Sequence, residues 1–381
     1  NFPLDFGSVN ITTVVDLVVV VLLSFHVSFL HSCLGMLQLG HRLSLTLRQA
    51  SLLVPLGLAF FSFPLQAADK SQTLPKFELP IDCEFSKGCY IQSYVDLDPS
   101  EGTIDYQCGI HTYNGHKGTD FRLRKLSMHE KGVRVLAAAP GRVARIRDGI
   151  PDTHMKVFGK KVLSRFGAGN AVVIDHGNKW VTLYAHLKKG SIRVRPGDIV
   201  KAGQTLGLVG LSGLTEFPHL HFQISHRDRI VDAFVGSRPS VGCPSDRQPM
   251  WSATALKKIG YQRSFVMEAG FSDQPLNREA LLFGVSVKQQ LSQKAPNLVF
   301  NIDFAGLRKG DVYELRILDP SGTIFAESRK TAENNAAVRF LYIGKKREKR
   351  PAWPSGVYKG QFTLMRRSDT KMEVFARDRK S

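Results

Sequence analysis

The sequence predicts an all-β protein built from antiparallel sheets. Between about residues 111 and 240, short β-prone runs follow one another, separated by glycines and without long helical periods between them. After residue 260, several runs alternate apolar and polar residues, the pattern of strands with one buried face. The two observations together predict an antiparallel β domain followed by a smaller β-sandwich at the C-terminus.

The stretch from Met36 to residue 68 has the features of a signal peptide. Arg42 and Arg48 give it a basic start, residues 51–65 form an apolar core, and small residues around Ala67 supply a cleavage site. Export predicts a periplasmic or secreted protein, with no stable membrane anchor once the signal peptide has been cleaved.

Residues 1–35 hold a second apolar run, VVDLVVVVLLSFHVSFL, interrupted by Asp16 and His26. The chain begins with Asn1 rather than Met, so we expect residues 1–35 to be a mis-assigned start and Met36 to begin the product. A membrane anchor is the alternative, because the run approaches the roughly 20 residues that a spanning helix needs.

The chain carries a formal charge of +19, and all of it lies after residue 68 because the two Asp and two Arg residues before that point cancel. Such a charge favours anionic partners, among them the acidic polymers of a cell wall. A solvated basic surface without a partner is the alternative. No nucleic-acid partner is predicted, since the sequence shows no helix-turn-helix, zinc-finger or RNP pattern.

The cysteines fit an exported protein. Cys33 belongs to the leader region, which leaves an even number of cysteines for an oxidising compartment. Three connectivities are possible, and we favour Cys83–Cys89 with Cys108–Cys243. No CxxC spacing occurs, which argues against a cysteine-based zinc site.

Composition and pattern divide the remainder of the chain. Pro, Ser and Gly in SRPSVGCPSDRQP interrupt the strand pattern and indicate a linker. The predicted order is an N-terminal extension at 69–110, the first β domain at 111–240, a linker at 241–260 and a β-sandwich-like domain at 261–381.

The C-terminal region shows its period most clearly in NLVFNIDF, where apolar residues alternate with Asn301 and Asp303. DVYELRIL and GVYKGQFTL repeat this pattern. The basic run KKREKR at 345–350 is predicted to lie in a loop, as a solvated segment or, alternatively, as a contact for wall polymer.

The run FPHLHFQIS predicts a strand that carries two histidines. Alternation places His219 and His221 on one face and Leu220, Phe222 and Ile224 on the other, which should be core. Paired imidazoles on one face suit a metal site or a proton-transfer site. Two surface histidines on a half-exposed strand are the alternative.

Two further stretches add candidates. In NGHKGTDF, His116 and Asp120 are four residues apart and share a side if the stretch is extended, which makes them a zinc-compatible pair. In WVTLYAHL, Thr182, Tyr184 and His186 are predicted to share one face near the end of a strand.

These motifs, in the order GHKGTDF, LYAHL and HLHF, resemble the M23 zinc metalloendopeptidases of the lysostaphin and LytM type. APGRV, GNAVVIDHGN and VRPGDIVKAGQTLGLVGLSG extend the resemblance, which covers roughly residues 111–235. It implies an antiparallel M23 fold, one zinc ion per chain and hydrolysis of peptide cross-links in bacterial peptidoglycan. The stretch at 148–168 is longer than a tight hairpin and could form part of the rim of the substrate cleft.

The resemblance also implies residue roles. It assigns the metal to His116, Asp120 and His221, and it makes His186 and His219 the catalytic histidines that do not bind the metal. Three protein ligands leave one position open, as in catalytic zinc sites. We expect His219 to help activate the water and His186 to help stabilise the oxyanion, although these two roles could be exchanged.

The expected partners are the peptide stems of peptidoglycan, together with anionic wall polymers bound by the basic surface. D,D-endopeptidase cleavage is expected rather than cleavage between glycines. Two alternatives remain: a non-catalytic module that binds the wall or activates an amidase, and a peptidase that acts on proteins. Modules of the first kind have usually lost zinc ligands, whereas this sequence keeps the whole set.

Overall fold

The structure is a computed structural model, and from Lys70 onward the chain forms one compact unit. The structure describes residues 75–85, 87–158, 166–237, 242–283, 287–288 and 290–367, and the backbone of 372–380. The predicted mis-assigned start and signal peptide, 1–35 and 36–68, lie outside these residues. Within the described ranges, no helix is both long enough and apolar enough to cross a membrane.

The first region is built on an eight-stranded antiparallel sheet. Its strands are β1 (Cys89–Ser93), β2 (Thr119–Leu123), β4 (Gly141–Arg147), β5 (Asn170–Asp175), β6 (Trp180–Leu187), β7 (Ile199–Val200), β9 (His219–His226) and β10 (Arg229–Val231). The strand order is β1-β2-β9-β6-β5-β4-β7, and β10 pairs with β9. A separate two-stranded sheet joins β3 (Arg134–Leu136) to β8 (Thr205–Leu208). The antiparallel β fold predicted from the short, glycine-separated runs is confirmed.

The core of this region lies under β9. Leu220, Phe222 and Ile224 are all buried on one face of the strand, as their alternation predicts. Trp251 packs against Phe222 with ring centroids 5.6 Å apart, so part of the predicted linker belongs to this core. Aromatic burial of this kind stabilises the sheet whose opposite face carries the histidines.

The helices of the described residues are short. They are α1 (Leu126–Lys131), α2 (Met155–Phe158), α3 (Ala253–Lys258) and α4 (Arg278–Leu282). The side chains of Ser252 and Asn277 cap the N-termini of α3 and α4 by accepting hydrogen bonds from Ala255 N and Ala280 N.

Both favoured disulfides are present. The Cα atoms of Cys83 and Cys89 are 6.1 Å apart, and those of Cys108 and Cys243 are 5.2 Å apart. The second bridge ties the segment before β2 to the predicted linker.

The C-terminal region contains two antiparallel sheets. The first consists of β11 (Phe265–Ser272), β12 (Asn297–Leu307) and β15 (Ala336–Lys346) in that order, and the second of β13 (Val312–Leu318), β14 (Ile324–Thr331), β16 (Lys359–Arg367) and β17 (Met372–Lys380) in the order β14-β13-β16-β17. Phe300 and Phe304 of β12 share one apolar cluster with Leu315 of β13 and Phe362 of β16. The sheets therefore enclose a common core, as in a β-sandwich. The domain boundaries stay predictions.

Two local features differ from a simple alternating strand and loop. Asn301 and Asp303 are fully buried, and their side chains contact Leu276 and Arg278 in the segment between β11 and β12. The prediction that KKREKR lies in a loop is wrong for Lys345 and Lys346, which end β15 by pairing with Leu298 and Asn297.

Candidate metal centre

Three side chains bring possible metal-ligating atoms together at the place where β2 pairs with β9. His116 Nε2 lies 3.1 Å from Asp120 Oδ1 and 3.2 Å from His221 Nδ1. The remaining side of the triangle, from His221 Nδ1 to Asp120 Oδ1, measures 2.8 Å. These three residues form a group able to hold a metal ion, and the described part of the chain contains no other group of three that meets the same distance condition.

Strand pairing explains most of this convergence. Asp120 on β2 stands directly opposite His221 on β9 in the antiparallel register, so both side chains project from the same face. His116 reaches the site from a turn before β2, where its backbone N–H donates to the Tyr113 carbonyl at 3.0 Å. The idea that 116–120 is one extended stretch is therefore wrong, although the two side chains do meet.

The orientation of His116 is set by a backbone carbonyl. His116 Nδ1 lies 2.7 Å from the carbonyl oxygen of Tyr94. Since a carbonyl only accepts, Nδ1 carries the proton and Nε2 keeps its lone pair for the site. Sequence reasoning missed this partner, because a main-chain acceptor leaves no signal in residue type.

His221 is fixed by the glycine of GHKGTDF that follows Lys117. A Cβ atom on Gly118 would lie 2.7 Å from the His221 ring and 2.7 Å from the Phe222 carbonyl oxygen. Only glycine lets the backbone pass this close to the imidazole. Gly118 is thus a site residue that sequence reasoning did not single out, although its motif was noticed.

His186 reaches the site in an unexpected way. Its backbone φ is 62°, a left-handed value that is uncommon for residues other than glycine. Tyr184 is buried in the core against Phe222, whereas the His186 ring lies 4.6 Å from the ring of His219. The prediction that His186 shares a face with Tyr184 is wrong, because the left-handed residue breaks the alternation of β6.

The His219 and His186 rings are both anchored through Nδ1. His219 Nδ1 lies 2.9 Å from the Phe217 carbonyl oxygen and 3.0 Å from Thr215 Oγ1. His186 Nδ1 lies 2.7 Å from the Ser212 carbonyl oxygen. Both rings therefore carry the proton on Nδ1, which leaves each Nε2 able to accept a proton.

Electrostatics separate the ligand candidates from the two other histidines. Burial would raise the pKa of Asp120, but the neighbouring His116 and His219 outweigh it and hold that pKa well below its usual range. Burial lowers the pKa of His116, but the charge of Asp120 and the hydrogen bonds to Asp120 and to the Tyr94 carbonyl together outweigh it, and the net shift is upward. Burial lowers the pKa of His219, and burial with the nearby His219 and His221 lowers that of His186 further. His186 and His219 are therefore neutral at neutral pH.

The surroundings of the site include an aromatic side chain and a loop. The ring of Tyr113 stacks on that of His116 at 4.4 Å and is 55% exposed, so it stands at the mouth of the site. In the predicted rim, Met155 N donates to the Thr215 carbonyl at 3.1 Å, and Asp152 accepts from Leu211 N at 2.7 Å. The rim itself stays a prediction, since its residues 159–165 lie outside the described ranges.

Comparisons with known proteins agree with the motifs. Residues 114–233 match the family model described as Peptidase family M23. The peptidoglycan DD-endopeptidase ShyB of Vibrio cholerae is 42% identical over 81 residues, which cover 21% of this chain and 18% of that protein. Lysostaphin of Staphylococcus simulans is 40% identical over 102 residues, 26% of this chain and 17% of that protein.

Among solved structures, the catalytic domain of lysostaphin from Staphylococcus simulans aligns with 36% of this chain and 84% of its own, at 24% identity and a TM-score of 0.24. This chain spans less than a fifth of the length of the two curated relatives named above. The matched segment contains all five residues that the motifs single out: His116, Asp120, His186, His219 and His221. Residues 114–233 of this chain are therefore a domain of Peptidase family M23.

Proposed function

We propose that the chain is an exported zinc metalloendopeptidase that hydrolyses peptide cross-links of bacterial peptidoglycan. The observation that carries the proposal is the convergence of His116 Nε2, Asp120 Oδ1 and His221 Nδ1 within 3.2 Å of one another. Two neutral imidazoles, His186 and His219, stand beside this triangle and give it a means of moving protons.

The donor set fits zinc. Two imidazole nitrogens and one carboxylate oxygen are ligand types that zinc accepts, and three protein ligands leave one coordination position open. Nδ1 of His116 is already engaged by the Tyr94 carbonyl, which directs its other nitrogen to the metal position. When bound in such a site, zinc polarises a carbonyl group and makes water acidic enough to supply hydroxide near neutral pH.

The proton chemistry falls to His219 and His186. Both rings begin as proton acceptors at Nε2, and the ring that takes a proton from water becomes a donor to the oxyanion or to the leaving amine. We assign the first transfer to His219, because its Nε2 lies 3.6 Å from Asp120 Oδ1 and that charge favours its protonated form. His186 then serves as the second histidine that contacts the reacting group, and it helps to stabilise the oxyanion.

Peptidoglycan as the substrate is supported by the similarity to the peptidoglycan DD-endopeptidase ShyB and by the charge of the chain. A net charge of +19 favours an anionic polymer such as the cell wall, and it favours it most at low ionic strength. On the same grounds we propose a periplasmic or secreted location and D,D-endopeptidase cleavage of stem peptides. The intact ligand set argues against a non-catalytic wall-binding module.

The test is to incubate purified residues 69–381 with isolated peptidoglycan and to analyse the muropeptides by mass spectrometry. Cross-linked dimers should be converted into monomers, a chelator should stop the reaction, and added zinc should restore it. Unfolded casein serves as a second substrate. If casein were cleaved and the cross-linked muropeptide dimers were not, the substrate would be protein rather than peptidoglycan. If neither substrate were cleaved, the proposal would be overturned.

A further inference from the structure

A buried arginine lies immediately beside the metal centre. Arg122 follows Asp120 by two residues on β2, so alternation places both side chains on one face. It stands opposite His219 in the pairing of β2 with β9, and it is only 4% exposed. A guanidinium group at this depth is costly unless the surrounding groups compensate its charge.

The charge of Arg122 is compensated only in part, by attraction to the buried Asp303 without a direct salt bridge. Its Nη1 donates to Gln92 Oε1 and lies 3.7 Å from the sulfur of Met267. No carboxylate of the described residues forms a salt bridge with it, and its Nε is buried without a hydrogen-bond partner. An apolar side chain of similar size would leave no buried polar atom without a partner here, and it would give a more stable fold if stability were the only requirement.

The best-placed contact of Arg122 is the ring of Phe217. The guanidinium carbon lies 4.3 Å from the ring centroid, closer than its 5.8 Å approach to Tyr90. The carbonyl oxygen of Phe217 accepts the hydrogen bond from His219 Nδ1. Arg122 therefore holds the ring of the same residue whose backbone orients the His219 imidazole.

The C-terminal region holds the other side of this arrangement. Met267, which contacts Arg122, belongs to β11 of the sandwich. Arg278 of α4 lies 3.7 Å from Glu216, the neighbour of Phe217, and 3.2 Å from the buried Asp303 of β12. The segment that carries the acceptor for His219 thus contacts the sandwich directly through Glu216 and indirectly through Arg122.

We propose that Arg122 is a positioning residue, which transmits the packing of the C-terminal region through Phe217 to the orientation of His219. The inference rests on the proposed function, because it concerns the rate of the same reaction. It also gives the sandwich a role: β11 supplies part of the wall behind a catalytic histidine.

The test compares Arg122→Met with Arg124→Met in the full 69–381 chain, with a soluble cross-linked muropeptide dimer as the substrate. Arg124 makes a matched control, because its Nη1 also donates to β11, at 3.1 Å from the Val266 carbonyl oxygen, and its guanidinium also lies near Tyr90. We expect Arg122→Met to lower kcat by about tenfold at an unchanged KM and zinc content, and Arg124→Met to keep kcat within about twofold.

Phe217→Leu keeps the backbone carbonyl but removes the aromatic face, and it provides a second route if Arg122→Met does not fold. We expect the same loss of kcat, no additional loss in the double variant, and partial rescue by Arg122→Lys, which retains a cation. Equal losses for Arg122→Met and Arg124→Met, or full kcat in Phe217→Leu, would overturn the inference. An inactive wild-type chain would instead remove the proposed function.

Discussion

The first β region and the C-terminal sandwich both bury polar side chains on antiparallel strands, but they satisfy them differently. In the sandwich, the Asn301 amide donates to Ser272 Oγ at 2.8 Å and accepts from Leu276 N at 3.3 Å. Asp303 there accepts a hydrogen bond from Arg278 Nε at 3.2 Å. Around β2 and β9, by contrast, one possible metal-ligating atom from each of His116, Asp120 and His221 lies within 3.2 Å of the other two.

Burial of polar groups does not by itself mark a functional site. Donors matched with acceptors make a structural network, whose loss costs stability. Acceptors gathered without donors repel one another and need a cation or a proton between them. Substitutions at the metal centre should therefore change activity and metal binding, whereas substitutions in the hydrogen-bonded network of the sandwich should change the free energy of unfolding.

The largest effect is expected for Asp120→Asn, which keeps the shape of the side chain but removes its charge. The variant should lose bound zinc and at least about a thousandfold of its activity, about 4 kcal/mol in the barrier. Metal analysis and release of muropeptides measure both. Asp175→Asn, an exposed position on β5, is the control and should stay active. An Asp120→Asn variant that kept its activity would contradict the role of Asp120 as a metal ligand.

Next is Asp232, a buried carboxylate in the first region that lies outside the metal centre. Burial raises its pKa to about 7, and its Oδ2 has no hydrogen-bond partner among the described residues. Because the folded state keeps this proton above the pH at which the unfolded chain releases it, stability falls as the pH rises from about 4 to about 7.

Asp232→Asn removes this proton linkage. Relative to wild type, its free energy of unfolding should improve by roughly 2.5 kcal/mol between about pH 5 and about pH 8. Urea unfolding of both metal-free proteins at the two pH values gives the difference. If the difference in the free energy of unfolding between the two proteins were the same at both pH values, Asp232 would not be the group with the raised pKa.

A smaller loss is expected for Asn301→Ala in the sandwich. It removes the acceptor of the buried Leu276 N–H and the amide group that donates to Ser272 Oγ, at a cost of about 2 kcal/mol in the free energy of unfolding. Zinc content and kcat of the folded protein should not change. Asn334→Ala, at an exposed position, is the control with almost no effect. If Asn301→Ala lost activity but not stability, the buried polar groups of the sandwich would serve function rather than the fold.

The smallest effect concerns Gly118→Ala. The added methyl group would collide with the His221 ring and with the Phe222 carbonyl oxygen, so both β9 groups must shift, which should weaken zinc affinity by about tenfold. Competition with a chromogenic chelator measures this affinity. Gly260→Ala, where nothing lies within 4 Å of the added Cβ, should bind zinc like the wild type. Equal affinities in the two variants would show that Gly118 does not position the ligand.

Much of this arrangement could be predicted from residue patterns. Alternation along β9 placed Leu220 and Phe222 in the core and, by the same geometry, His219 and His221 on the opposite face. Disulfides were expected from an even cysteine count and the predicted export, and the structure shows the favoured one of the three possible pairings. Such predictions succeed because period and parity are properties of the local backbone.

Other features depend on distant parts of the fold. Nothing in WVTLYAHL shows that His186 takes a left-handed conformation and so leaves the face of Tyr184. The acceptors on Tyr94 and Phe217 are main-chain atoms, which any residue could supply. Asp303 looked like the polar half of an alternating strand, and only the tertiary packing shows that it is buried against Arg278.

The central claim is that His116 holds the metal while His219 moves protons beside it. Its most direct test is the zinc content of purified His116→Ala and His219→Ala, measured alongside their release of muropeptides. We predict that His116→Ala loses both zinc and activity, whereas His219→Ala keeps most of its zinc and loses activity. If His219→Ala lost zinc as completely as His116→Ala, the division between ligand and catalytic histidine would be contradicted.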